Sequence, residues 1–288
     1  METYNDNLNV AIIGLVRGYP NNKSKYEDLL LRNSKIYENV NSKLNIPYKM
    51  IIFHEGNISE DHQKYIQEKS QENLNFIDVS KIFNQYKNID GYKIMCKFHM
   101  YFLWDYVSEY DYVIRIDEDI FIEKFDKNII QKMNNKNIEF CYSKLSYESH
   151  TPTNNTLPIF IKEMYELKEK KFYNHLFPYT NFYISKTSIW KQKNIENILK
   201  KIATSTDQEK YRWGDLPVLG SLINIEKFNT KRMQGLTYYH SSHNILVINK
   251  FYSYILEYFH IKRFMNMYPN FFKSIKKIAK ILLLKKLS

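Results

Sequence analysis

Cysteine is nearly absent from this chain. Cys96 and Cys141 are the only two in 288 residues, too few for a disulfide framework or a four-ligand zinc site, and nothing around them suggests a nucleophilic thiol. A reducing, cytoplasmic setting is the expectation. Seven glycines and seven prolines exclude collagen-like, linker-rich and multi-turn β architectures. The first apolar run, Val10–Val16, is too short for a membrane span or the core of a signal peptide, and the nine residues before it are polar and acidic, as expected of a chain not exported by its own sequence. What is abundant is aromatic: 25 Tyr and 18 Phe in a chain that is 44% hydrophobic. That is enough to build a substantial core, and aromatic faces also stack on sugars and bases.

The formal charge of +11 suggests nucleic acid until it is located. Residues 262–288 carry eight Lys or Arg and no Asp or Glu, leaving 34 basic and 31 acidic side chains elsewhere, a balance of only +3. With no nucleic-acid motif, this argues against such a partner. Within the tail, Phe271, Ile275, Ile278, Ala279 and Leu282 share one helical face, and Lys273, Lys276, Lys277 and Lys280 the other. Such a helix can lie peripherally on an anionic membrane surface or pack on the body with its lysines solvated.

Apolar runs and helical spacing alternate from the start. Strands are expected at 10–16, 48–54 and 75–79, with helices at 26–44, 59–72 and 92–110. A strand then runs into the acidic cluster, and 138–142 (strand), 159–171 (helix), 180–184 (strand) and 188–203 (helix) follow. The expected fold is α/β, a Rossmann-like, mostly parallel sheet flanked by helices, with ligands at the carboxyl ends of the strands. No repeat or linker divides the body, so residues 1–245 are expected to form one catalytic domain and 246–288 a helical tail.

The cluster Asp117-Glu118-Asp119 stands where an apolar strand ends. Adjacent like charges repel and desolvated carboxylates resist ionisation, so such a cluster calls for a cation. The Asp117-x-Asp119 spacing puts two carboxylates on one side of an extended backbone, where a hard divalent ion and the diphosphate of a nucleotide sugar can meet. The alternative is a solvated strand-to-turn junction. Arg17, after the first strand, has planar donors suited to guanine or diphosphate, a plain surface arginine being the competing reading. In Trp213-Gly214-Asp215 the Trp can form a stacking wall for a sugar ring, the Gly permits close approach, and the Asp can orient an acceptor hydroxyl; a tight turn with a packed Trp is the competing reading.

Five runs, in order, resemble the fungal α-1,2-mannosyltransferases of glycosyltransferase family 15. They are Gly91-Tyr92-Lys93-Ile94-Met95-Cys96-Lys97-Phe98, Tyr110 through Asp119, Thr180-Asn181-Phe182-Tyr183-Ile184, Arg212-Trp213-Gly214-Asp215-Leu216-Pro217-Val218, and Tyr238-Tyr239-His240. The resemblance implies a GT-A fold, GDP-mannose as donor, Mn2+, a glycan or glycolipid acceptor, and transfer with retention. It implies Asp117, Asp119 and His240 as metal ligands, His243 being a weaker substitute for the last. Arg17, Asp117 and Asp119 fall on the donor, and Tyr92, Asn181, Arg212 and Trp213 on substrate. Asp215 and Tyr183 fall at catalytic positions. Two departures stand out. Tyr183 occupies the place of a glutamate considered as the family's nucleophile, and Glu118 replaces the proline of its metal motif. A catalytically silent nucleotide-sugar or glycan-binding relative, or a transferase using another nucleotide sugar, is the alternative.

Overall fold

Strict alternation of side chains along the strands decides how this chain buries itself. The computed structural model describes residues 8–41, 44, 46–167, 173–243 and 245–248. The amphipathic segment 271–287, and with it the expected tail helix, lies outside the described residues. The strands are β1 (Val10–Val16), β2 (Tyr48–His54), β3 (Leu74–Asp78), β4 (Tyr112–Ile116), β5 (Ile120–Lys124), β6 (Phe140–Tyr142), β7 (Leu145–Tyr147), β8 (Leu176–Pro178), β9 (Phe182–Lys186), β10 (Thr230–Arg232), β11 (Thr237–His240) and β12 (Ile245–Ile248).

Seven of them form the central sheet in the order β10-β6-β9-β4-β1-β2-β3. β3, β2, β1 and β4 run parallel, β9 runs antiparallel to both β4 and β6, and β10 is parallel to β6. The sheet is therefore mostly parallel, as the alternating pattern implied. Its two faces feed two apolar cores. Ala11, Ile13, Ile51, Phe53, Val113 and Tyr183 point into one; Val10, Ile12, Met50, Ile52, Ile114 and Phe182 point into the other. Burial on both faces is why β1 reads as an unbroken apolar run and β4 as one interrupted only by Arg115.

The helices differ from expectation where side chains make specific demands. The expected 26–44 helix is a short 3-10 turn (Lys23–Tyr26), an α-helix (Glu27–Ile36) and a π turn (Tyr37–Asn41); in the π turn, Asn39 Nδ2 reaches the Ile122 carbonyl at 2.9 Å. The expected 92–110 helix runs over 91–106 and contains a π turn at Phe98–Phe102. The helix expected at 159–171 is Thr151–Met164. Pro152 sits in its first turn, where a missing N–H costs nothing, and His150 caps it. Lys97, the basic residue of the Tyr92–Phe98 run, is fully buried. It bonds the Ala203 carbonyl, pairs with Glu209 at 3.1 Å and lies 4.7 Å from the Tyr86 ring centroid. Its work is to join two helices.

The carboxyl end of β4 is held by Arg32, a fully buried side chain of the Glu27–Ile36 helix. Its Nη2 donates to the Ile116 carbonyl at 2.6 Å, Nε to the Asp117 carbonyl at 3.1 Å and Nη1 to Asn33 Oδ1 at 3.0 Å. Gly14 on β1 makes room for it: a Cβ there would lie 2.6 Å from Arg32 Nη2 and 2.9 Å from the Ile116 oxygen. Gly14→Ala is therefore expected to lower stability by about 2 kcal/mol through overpacking, read as a fall in the urea midpoint. An unchanged midpoint would show that β1 yields without disturbing Arg32.

Candidate functional site

β4 delivers its last buried residues, Arg115 and Ile116, to the carboxyl edge of the sheet, and the chain turns there through Asp117-Glu118-Asp119 into β5. A charge inside a strand buried on both faces must be paired. Arg115, 2% exposed, pairs with two carboxylates at once. Its Nε and Nη2 reach the two oxygens of Asp117 at 2.8 and 3.3 Å, and Nη1 reaches Asp215 Oδ2 at 2.6 Å. Asp215 opens the Asp215–Ile225 helix, whose amino end favours negative charge.

The three carboxyls titrate differently. Burial pushes Asp117 up to about 6 against the pull of Arg115. Burial also opposes the charge of Asp215, but the Arg115 guanidinium and a hydrogen bond from the Thr180 hydroxyl outweigh it and hold that carboxyl below its ordinary value. At Asp119 burial is outweighed by hydrogen bonds from His240 and Ser242, which bring it down to about 2.

His240 ends β11, the strand antiparallel to β5, with Ile120 as its register partner. That pairing brings its Nε2 to 3.0 Å from Asp119 Oδ2. Behind the imidazole, Asn181 Nδ2 lies 2.9 Å from His240 Nδ1, the Tyr238 hydroxyl donates to Asn181 Oδ1 at 3.3 Å, and Ser143 Oγ lies 2.9 Å from that hydroxyl. In this arrangement Nδ1 accepts and Nε2–H faces Asp119. The amide and both hydroxyls can reverse their donor and acceptor sense, so the network also supports the tautomer whose Nε2 lone pair faces outward. A carboxylate held ionised beside such an imidazole fits a divalent ion such as Mn2+. Asp117 does not join this pair, because Arg115 engages both its oxygens. Among the described residues no three His, Cys, Asp or Glu side chains are grouped as a metal site.

The remaining expected residues divide. Arg17 is exposed, and its backbone N–H donates to Glu118 Oε2 at 2.9 Å; Glu118 thus ties the β1 loop to the acidic turn. Tyr92 is 44% exposed, with the Arg212 guanidinium carbon 4.6 Å from its ring centroid, and together they form an open aromatic and cationic surface. His243 packs edge-on against His240, ring centroids 4.4 Å apart; burial and the neighbouring imidazole lower its pKa. Three expectations are corrected. Trp213 is 1% exposed, donates its indole N–H to Thr156 Oγ1 at 2.8 Å and packs on Phe160, so it is no wall for a sugar. Asn181 is buried beneath His240 and supports the imidazole. Tyr183 is fully buried, stacked on Phe140, its phenol pKa raised by burial; that makes it a poor nucleophile. Sequence reasoning passed over Arg115 and Arg32. A lone arginine inside the run Tyr-Val-Ile-Arg-Ile was the signal for the first.

No protein-family model matches the chain, and no curated protein matches it. Solved structures do. The mannosyltransferase Ktr4p from S. cerevisiae superposes with a TM-score of 0.67 at 16% identity, over 82% of this chain and 71% of that one. Its complex with GDP gives 0.64 at 16% identity, over 82% and 72%. Core-mannan synthase A from Aspergillus fumigatus, in an Mn/GDP form, gives 0.62 at 17% identity, over 81% and 74%. The fold is thus the GT-A fold of these glycosyltransferases, as the motif resemblance implied.

The depressed Asp119 pKa has a consequence at low pH. Because its folded value, about 2, lies below the usual 3.8, ionised Asp119 stabilises the fold above the usual value, and that contribution disappears as pH falls from about 4 toward 2. Asp119→Asn should flatten the loss of stability over this range by about 1 kcal/mol, the surface share being screened. Urea midpoints in metal-free buffer at pH 7, 4 and 2.5 read this directly; parallel profiles for the two proteins would contradict it.

Proposed function

We propose that this protein is a retaining hexosyltransferase that transfers mannose from GDP-mannose to a hydroxyl of a glycan or glycolipid. One observation carries the reading: at the carboxyl edge of a GT-A sheet, Asp119 and His240 meet at 3.0 Å beside the Arg115-bridged carboxylates of Asp117 and Asp215. The GDP and Mn/GDP states of the two structural relatives support the choice of nucleotide and metal.

In this reading Asp119 and His240 would hold a divalent ion, which when bound neutralises charge on the leaving diphosphate. The chain's own residues do the rest. Arg17, exposed at the end of β1, offers planar donors to the nucleotide. The open face of Tyr92 and Arg212, next to Asp215, receives the acceptor sugar. Asp215, ionised at a helix amino end, orients the acceptor hydroxyl. With Tyr183 buried and protonated, no side chain at that position forms a glycosyl intermediate. The acceptor oxygen therefore bonds to the anomeric carbon on the face from which the glycosyl–phosphate bond breaks, its proton passing to the departing phosphate oxygen. That path retains the anomeric configuration.

GDP release from GDP-mannose, with and without a simple α-mannoside, should appear with Mn2+, vanish with EDTA, and fall at least about 100-fold in Asp119→Ala, the scale of losing a main electrostatic contact to a leaving group. Uptake of UDP-sugars in preference to GDP-mannose would shift the donor assignment. If GDP-mannose and the other nucleotide sugars are all left intact while GDP with Mn2+ still raises the melting temperature, the protein is a binding relative.

A further inference from the structure

Arg115 occupies an unusual place. It is an interior strand residue, paired in register with Tyr183 on β9, its guanidinium carbon 5.8 Å from that ring's centroid. It carries the only cation that touches both Asp117 and Asp215 among the described contacts. Asp117 belongs to the turn that leads to Asp119, the donor side; its backbone N–H bonds the Asn181 carbonyl at 3.1 Å. Asp215 belongs to a helix a hundred residues later, on the acceptor side.

The groups around the guanidinium sharpen the point. His99, in the π turn of the 91–106 helix, is 2% exposed with no partner for Nδ1. Burial and the charge of Arg115 hold its pKa well below the ordinary value, so it stays neutral. The Tyr183 hydroxyl is likewise buried without a hydrogen-bond partner. One cation therefore serves two carboxylates, and the surrounding polar groups add no second positive charge. The planar fork of a guanidinium can hold both at fixed separation, which the compact ammonium of lysine cannot.

We infer that Arg115 is a positioning residue that locks the acceptor-side carboxylate of Asp215 to the donor-side turn at Asp117, so that donor cleavage is captured by the acceptor hydroxyl rather than by water. This rests on the transferase reading above. Arg115 touches neither sugar; it acts through Asp215. Without the lock Asp215 is no longer held in register with the donor, and water competes for the anomeric carbon: the glycosyl–phosphate bond breaks, a water oxygen bonds to that carbon, and its proton goes to the phosphate.

The test uses the full chain with GDP-mannose, Mn2+ and a simple α-mannoside, and measures glycoside product and free mannose separately. Arg115→Lys, which keeps the charge, is expected to cut transfer at least about 100-fold while hydrolysis falls less than about 10-fold, so the transfer-to-hydrolysis ratio drops at least about tenfold. Asp215→Asn should lower the same ratio, and adding Arg115→Lys to it should lower the ratio no further, since residues acting as one unit are not additive. An unchanged ratio in Arg115→Lys, with both reactions falling in step with the folded fraction, would make the residue merely structural and overturn the inference. Independent, multiplying losses in the double variant would overturn it too. A wild-type chain that consumes no nucleotide sugar overturns the transferase reading itself.

Discussion

The structure depends on the pairing of buried guanidinium with backbone and side-chain oxygen at the carboxyl end of β4. A parallel sheet brings its strand ends together, and here the carboxylates of Asp117 and Asp215 and the carbonyls of Ile116 and Asp117 all lie within hydrogen-bond reach of two arginines. Arg32 takes the carbonyls of Ile116 and Asp117, and Arg115 takes the carboxylates of Asp117 and Asp215. Burial pulls Arg32 down to about 10, which still leaves it charged at neutral pH. Either cation left alone would be costly to bury, and so would the acids. Together they make the turn at 117–119 a defined shape instead of a solvated loop.

That shape sets Asp119 apart from its two neighbours in the turn. Asp117, nearest the core, is consumed by Arg115, and Glu118 points back to cap the Arg17 N–H. Asp119, two residues further along the turn, meets His240 through the β5–β11 ladder. The chain from Ser143 through Tyr238 and Asn181 then fixes the imidazole plane, the kind of supporting shell that keeps a histidine ligand oriented. Gly18 contributes at one remove: its hydrogen faces Asn57, whose carbonyl oxygen would sit 2.2 Å from any Cβ, so the loops after β1 and β2 are in direct contact beside the acidic turn.

Much of this was legible in the sequence, and the limits have physical reasons. Apolar runs bounded by turn residues located β1, β2, β4 and β9 to within a residue or two, because strands buried on both faces are mostly apolar. The short strands β5, β7, β8 and β10 to β12 were not foreseen, since three to five residues of mixed character carry no period. The helix at Thr151–Met164 was expected at 159–171; Pro152 stands in its first turn, where proline is tolerated. At the site, the acidic spacing pointed to Asp119 and the Trp213-Gly214-Asp215 run to Asp215, while the motif resemblance supplied His240. They also drew in Trp213 and Asn181, whose chemistry suits a ligand but whose side chains are spent on the core and on His240. A motif shows which residues gather; only the fold shows which of them face outward.

The fate of Tyr183 bears on mechanism beyond this one position. A nucleophile in a retaining transferase must reach the anomeric carbon from the face opposite the leaving group and must be ionised, or readily so, at neutral pH. Tyr183 fails on both counts. It projects into the core shared with Val113 and Phe140, where burial above all opposes a phenolate and the carboxylates of Asp215 and Asp117 add to that opposition, with Arg115 pulling the other way. Deprotonating it would add a third negative charge to a cluster with one guanidinium. The same arithmetic of charge gives the tyrosine its place: a neutral ring can lie under Arg115, where a carboxylate would compete with Asp117 and Asp215 for the guanidinium. In the proposed transfer, a neutral ring at position 183 leaves Arg115 to hold the other two acids, in keeping with a reaction that forms no covalent intermediate at this position.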